Sequence, residues 1–308
     1  MWKRALGNSG LEVPAVTLGG NVFGWTVDEA ATFRLLDRAV DLGLTFIDTA
    51  DIYSKWVPGN RGGESETLIG KWLARSGKRD KVTIATKAGM ELGLSIAHLN
   101  EAVEASLRRL QTDYIDLYFA HKDDPATPLD QTLSIFEVLI AEGKIRAAGA
   151  SNYSGARLRE ALAISDAYTV LQPHYNLLER ADYESDLAPV VAEHNLGVVP
   201  YFSLASGFLT GKYRKPEDLA GRARSGGAGK YLNERGLKVL AALDEIARGH
   251  NATDAQVALA WLIAQPGITS PIASATNPDQ LEDLARAADL KLDSASLAKL
   301  SAASSVRS

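Results

Sequence analysis

The chain has 308 residues, of which 23% are charged and 46% hydrophobic, with a formal net charge of -5. Those proportions are ordinary for a folded globular protein, and a net negative charge gives no basis for a nucleic-acid partner. Cysteine is absent, which excludes disulfides, thiolate metal sites and a cysteine nucleophile, and no apolar run approaches the roughly eighteen residues of a membrane span.

Met1-Trp2-Lys3-Arg4 leads into no apolar stretch, so no secretory signal is expected; a reducing, cytoplasmic setting is the plain reading. Leu6–Pro14 carries Gly7-Asn8-Ser9-Gly10 between apolar flanks, the pattern of a hairpin, expected to cap one end of the fold. Short β-branched runs then alternate with helix-period segments. Val16–Leu18 and Thr45–Asp48 read as strands around a helix at Asp28–Leu42. Glu64–Ser76 follows as a helix, then strand Val82–Thr86, helix Ile96–Leu110 and strand Ile115–Ala120. Helix Leu129–Glu142, strand Ile145–Ala150, helix Ser154–Ser165 and strand Val170–Gln172 continue the alternation. Helix Tyr183–Asn195 and strand Val198–Tyr201 precede a Gly-, Arg- and Lys-rich stretch at 211–230, expected to be a long mobile loop. Helices Leu232–Arg248 and Asp254–Ala264, strand Ile268–Ile272 and two further helices, Pro278–Ala288 and Ser294–Ser301, complete the chain. Thr26-Val-Asp-Glu29 and Thr253-Asp-Ala-Gln256 each read as a capping box.

Eight strands alternating with helices imply parallel pairing through helical crossovers. The strands are apolar at consecutive positions, as expected when both faces are covered. A doubly wound sheet usually carries G-x-G-x-x-G after its first strand; none occurs here, so the expected fold is α/β, a (β/α)8 TIM barrel with an N-terminal hairpin and extra C-terminal helices. No linker divides residues 1–308, which are read as one domain.

Active sites of such barrels form at the C-terminal ends of the strands. There the sequence places Asp48 and Tyr53 after the second strand, Lys87 at the end of the third and His121 after the fourth. Each has an ordinary reading alone: a turn-forming Asp, a solvated Lys, a packing Tyr, a structural His. Together on one rim they suit reduction of a carbonyl, which needs a hydride at carbon and a proton at oxygen. Tyrosine, with a pKa of about 10, becomes a useful acid when a cation steadies its phenolate. Lys87 is placed to supply that cation, Asp48 to hold the ammonium, and His121 to orient the substrate oxygen. The five histidines are scattered, without the spacing of a metal site.

The segments Asp48-Thr-Ala-Asp-Ile-Tyr53-Ser, Ala85-Thr-Lys87, Asp113-Tyr-Ile-Asp-Leu-Tyr-Phe-Ala-His121 and Gly149-Ala-Ser-Asn152 resemble those of the aldo-keto reductases. The resemblance continues through Gln172, Tyr201 and Gly207-Phe-Leu-Thr-Gly-Lys212-Tyr to Pro271–Leu281, in the family's order and spacing. It implies a catalytic role for Asp48, Tyr53, Lys87 and His121, and a nicotinamide cofactor. By the same resemblance Ser151, Asn152 and Gln172 meet the carboxamide and Tyr201 stacks on the nicotinamide. Gly20, Asn21 and Val22 lie at the ribose and substrate. Phe202, Ser203, Leu204 and Lys212 run over the pyrophosphate, and Ser274, Thr276 and Gln280 lie at the adenosine 2′-phosphate. Trp25, Trp56 and Phe119 are candidates for the substrate pocket, or for packing.

Two departures stand out. Ser274 and Gln280 are uncharged where relatives preferring NADPH often carry Lys and Arg, so NADP(H) is expected on family grounds with NAD(H) as the alternative. Tyr201-Phe202-Ser203-Leu204 replaces the common Tyr-Ser-Pro-Leu, removing a hydroxyl near the pyrophosphate. The segment after Leu300 is too short to wrap far over the pocket, which is expected to admit bulky carbonyls. The partner is a small carbonyl or alcohol; no nucleic acid or membrane is expected, and the oligomeric state stays open. Two other functions compete: a nicotinamide-binding regulatory subunit resembling potassium-channel β-subunits, and an aldolase using Lys87 as a Schiff-base nucleophile.

Overall fold

The computed structural model describes residues 3–305. Two short strands, β1 (Lys3–Ala5) and β2 (Glu12–Pro14), form an antiparallel hairpin. Eight more make the main sheet: β3 (Thr17–Gly19), β4 (Phe46–Asp48), β5 (Thr83–Ala88), β6 (Ile115–Ala120), β7 (Ile145–Ser151), β8 (Tyr168–Gln172), β9 (Gly197–Val198) and β10 (Ile272–Ala273). They lie in the order β10-β3-β4-β5-β6-β7-β8-β9, every neighbouring pair parallel. Backbone bonds from Thr269 N to Val198 O and from Ile272 N to Pro200 O, both 2.9 Å, tie the two ends together. This is the (β/α)8 arrangement expected from the alternation.

Why the sequence alternates as it does is visible in the packing. Phe46, Ala85, Leu117, Phe119, Ala147, Val170, Val199 and Ile272 point inward and fill the barrel, joined by Leu6 and Val13 of the hairpin. Leu6 and Val13 thus plug one end, the capping role expected of the hairpin. Outward-facing residues of the same strands pack against the helices in a second apolar layer, so neither strand face meets water. Gly149 is required here: a Cβ on it would lie 2.5 Å from the Phe119 ring. Phe119 is therefore a core residue and no part of a substrate pocket.

The helices are α1 (Glu29–Asp41), α2 (Glu64–Ser76), α3 (Ile96–Leu110), α4 (Leu129–Ala141), α5 (Gly155–Ile164), α6 (Ala188–His194), α7 (Ser225–Gly229), α8 (Glu234–His250), α9 (Asp254–Ile263), α10 (Pro278–Asp289) and α11 (Ser294–Ser304). The Thr253 capping box at α9 forms as expected. At α1 the cap is Asp28, whose carboxylate accepts from Ala31 N, and Thr26 does not cap. Asp28 stands one residue before the helix and wins because its oxygen reaches the free N–H groups directly. The eighth strand forms at Ile272–Ala273; the predicted Ile268 contributes only an isolated bridge to Val198. Segment 211–230, expected as a long mobile loop, contains a short 3₁₀ turn at Pro216–Leu219 and α7. Arg214 pins it to Asp244 at 2.6 Å and Lys230 to Glu179 at 2.8 Å. Among the described residues no helix is long and apolar enough to cross a membrane.

Candidate active site

The rim above the strand ends assembles the four residues the sequence placed there. β4 ends at Asp48, and the turn that follows is fixed by Ser54, at φ 72°, whose Oγ donates to Phe23 O at 2.8 Å. That turn brings Tyr53 back over the strand end. Lys87, on β5, is fully buried, and its Nζ lies 2.8 Å from Asp48 Oδ1, 2.7 Å from Thr49 O and 3.0 Å from Tyr53 Oη. Tyr53 Oη donates to Asp48 Oδ2 at 3.2 Å. Gln172 Nε2 completes the shell of Asp48, donating to Oδ1 at 2.9 Å. The three ammonium hydrogens of Lys87 therefore each have a partner.

Burial and charge set the electrostatics of the cluster. Tyr53 is pushed well above the usual tyrosine range, first by burial and then by the Asp48 carboxylate. Burial lowers the Lys87 pKa, with Asp48 opposing. The phenol thus holds its proton near neutral pH. His121 is 6% exposed and brought down to about 3, by burial and then by Lys87. It is a neutral hydrogen-bond donor near neutral pH, its ring lying edge-on to Tyr53 at 6.2 Å.

Asp51, two residues before Tyr53, donates its N–H to Lys87 O at 3.1 Å. Its carboxyl is raised to about 7, chiefly by burial and then by Glu66, which is itself buried and bonded to Thr86 Oγ1 and Arg109 Nε, both at 2.6 Å. Because the folded pKa exceeds the unfolded one, the proton's contribution to stability is full below about 4 and lost as pH rises through about 7. Asp51→Asn is expected to stabilise the fold at pH 8 by on the order of 1–3 kcal/mol, discounted for partial exposure, with no gain at pH 4. Melting curves at the two pH values check this; an equal shift at both would contradict it.

A cavity of about 860 Å³ opens over the four residues. Asn21, Ser151, Asn152, Gln172, Tyr201, Phe202, Ser203, Leu204, Lys212, Ser274, Thr276 and Gln280 line it, with Asp48, Tyr53, Trp56 and His121 at the rim. A Cβ at Gly19 would lie 2.7 Å from Ser274 Oγ; its absence keeps the floor open. Several lining groups bond to one another: Tyr201 Oη to Asn152 Oδ1 at 2.7 Å, Ser274 Oγ to Asn21 Oδ1 at 2.6 Å, and Ser151 Oγ to Gln172 O at 2.9 Å. Gln280 Oε1 is engaged by Thr276 N at 2.9 Å. Gly20 instead gives its N–H to Asp48 O at 2.7 Å, and Val22 is fully buried beneath it. Trp25 stands behind Trp56, ring centroids 5.6 Å apart at 88°.

Phe202, Ala205 and Ser206 all have positive φ, 52°, 49° and 57°, rare for residues with a Cβ and concentrated here where the chain passes the cavity. Asn176 Nδ2 secures the turn by donating to Phe202 O at 3.0 Å. The sequence reading missed Arg222 and Arg224, which line the cavity from the 211–230 segment. Arg224 lies over the Trp25 ring at 5.7 Å and within 3.4 Å of Asn21 Oδ1. The signal was the cluster of cations in that loop, recognised as a loop but not as a cavity wall. No group of three or more His, Asp or Glu able to hold a metal occurs among the described residues.

Comparison with known proteins bears on this geometry. A sequence profile described as the aldo/keto reductase family matches residues 15–305. The chain is 36% identical to "Uncharacterized oxidoreductase YrpG" of Bacillus subtilis, covering 94% of this chain and 91% of that protein. It is 33% identical to "Aldo-keto reductase YhdN" of the same organism, covering 94% and 89%. A "Putative voltage-gated potassium channel subunit beta" of Schizosaccharomyces pombe is 34% identical, covering 93% and 88%.

Proposed function

The chain belongs to the aldo/keto reductase family, and on that premise we propose that it reduces an aldehyde or ketone to an alcohol with NAD(P)H, Tyr53 donating the proton. The observation that carries this is the bonded cluster of Tyr53, Lys87 and Asp48 beneath a cavity also faced by His121. The cavity suits a dinucleotide: amide side chains at Asn152 and Gln172, the flat Tyr201 ring, and three cations, Lys212, Arg222 and Arg224, where phosphate charge needs an ion-pair partner. When bound, the nicotinamide supplies the hydride. Neutral His121 orients the carbonyl oxygen by a hydrogen bond, Tyr53 transfers its proton to that oxygen, and Lys87 steadies the phenolate that remains. Asp48 keeps Lys87 in place.

NADP(H) is the preferred cofactor in this reading and NAD(H) the alternative. Asp283 lines the cavity from the same helix as Gln280, and Arg224 meets Asn21 Oδ1 beside Ser274, so preference for a 2′-phosphate falls to the loop cations. Titrating NADPH against NADH, followed by a panel of aldehydes, ketones and sugars, tests the proposal, and indifference to both nucleotides refutes it. Arg224→Ala is expected to weaken the bound nucleotide by roughly 10- to 100-fold, the range of a charge-assisted contact worth about 1.5–3 kcal/mol; unchanged affinity would remove Arg224 from the site.

The Schizosaccharomyces pombe relative motivates a second reading, a nicotinamide-binding regulatory subunit. Sustained carbonyl turnover that requires Tyr53 favours the enzyme; tight nucleotide binding without turnover favours the subunit. A cytoplasmic setting fits either one.

A further inference from the structure

We propose that His174 is a positioning residue that holds the Tyr201 ring flat as the platform for the nicotinamide, an inference that rests on the cofactor reading above. His174 lies two residues beyond β8 and Tyr201 three beyond β9, and the two form a parallel β-bridge. Tyr201 N donates to Pro173 O at 2.9 Å, so the backbones are locked side by side. Residues opposed in such a bridge direct their side chains to the same face. The two rings accordingly stack, centroids 5.2 Å apart and planes within 14°.

Tyr201 is therefore fixed at two points, its ring by His174 and its hydroxyl by Asn152 at 2.7 Å. Phe202 adds its ring edge-on, 5.4 Å from His174 and 5.3 Å from Tyr201. Asn176, from the same segment as His174, anchors the Phe202 carbonyl at 3.0 Å and approaches His174 Nε2 at 3.4 Å. Residues 174–176 thus form a brace for a neighbouring turn that is itself held in a rare backbone conformation. Burial holds the His174 pKa low, with Glu179 opposing, so the stack joins two uncharged rings. A platform ordered in advance spends none of the nucleotide's binding energy on arresting ring and loop motion.

The test measures binding of two probes, NADPH and 2′-phospho-ADP-ribose, the same nucleotide without its nicotinamide. His174→Ala is expected to weaken NADPH binding by roughly three- to tenfold, the range of a stacked aromatic pair, and to leave the truncated nucleotide unaffected. His174→Phe keeps a ring in place and is expected to restore NADPH binding to near wild type. Unchanged NADPH affinity in His174→Ala, equal losses for both nucleotides, or a phenylalanine variant as weak as the alanine one would each overturn the assignment. If the wild-type chain bound 2′-phospho-ADP-ribose but gained nothing from the nicotinamide, the platform role would fail while the nucleotide site stood. If it bound neither probe and no NADH, the cofactor reading would fall and this inference with it.

Discussion

Tyr53→Phe is expected to lower kcat for carbonyl reduction by about 10²- to 10⁴-fold, the usual worth of a positioned general acid, while nucleotide binding stays near wild type. The phenol oxygen is the group that Lys87 Nζ reaches at 3.0 Å on the cavity side, and neutral His121 is no substitute acid. His121, brought down to about 3, carries only the proton of a neutral imidazole and cannot release it at neutral pH. The comparison needs kcat and nucleotide affinity measured on the same preparation, because phenylalanine removes one hydrogen bond from Lys87, a structural cost of about 0.5–1.5 kcal/mol. Full activity in the variant would show that the acid lies elsewhere.

Lys87→Met is expected to destabilise the fold by about 3–5 kcal/mol and to abolish measurable reduction. Lys87 has no exposed side-chain surface and Asp48 2%, so removing the ammonium strands a carboxylate in a dry setting, the situation in which breaking an ion pair is most costly. Combining it with Asp48→Asn removes both charges, and the double variant is expected to regain most of the lost stability without regaining activity. Urea melts of the two single variants and the double one form the cycle. If the double variant were no more stable than Lys87→Met, the pair would not be coupled as the distances indicate. If it were active, Lys87 would have no role in the chemistry.

Much of the fold was legible because an α/β barrel writes itself locally. Consecutive apolar residues such as Phe46-Ile47 and Leu117 through Ala120 mark strands buried on both faces, and caps such as Thr253 and Asn277 mark helix starts. The misplacements came where several local signals compete within a turn: Thr26 and Asp28 both offer oxygens ahead of α1, and only the chain's path decides which one reaches Ala31 N. The eighth strand was placed too early because Ile268 is apolar for a different reason, packing near the end of the α9 loop, with a single bridge to Val198.

The sequence by itself determined the order of strands and helices, and with it which residues stand at strand ends. In a barrel of this type that order is enough to bring Asp48, Tyr53, Lys87 and His121 to one rim. It also determined that Ser274 and Gln280 are uncharged. Tertiary structure alone decided the energetics among those residues. How far each group departs from its ordinary pKa depends on how deeply all three are buried and on which carboxylate oxygen stands nearest, and such distances are not read from residue type. It alone placed Arg224 against Asn21, 203 positions away in the chain, and His174 flat against Tyr201. The first joins segments far apart in the chain and the second the ends of two paired strands, β8 and β9, so no local pattern could record them.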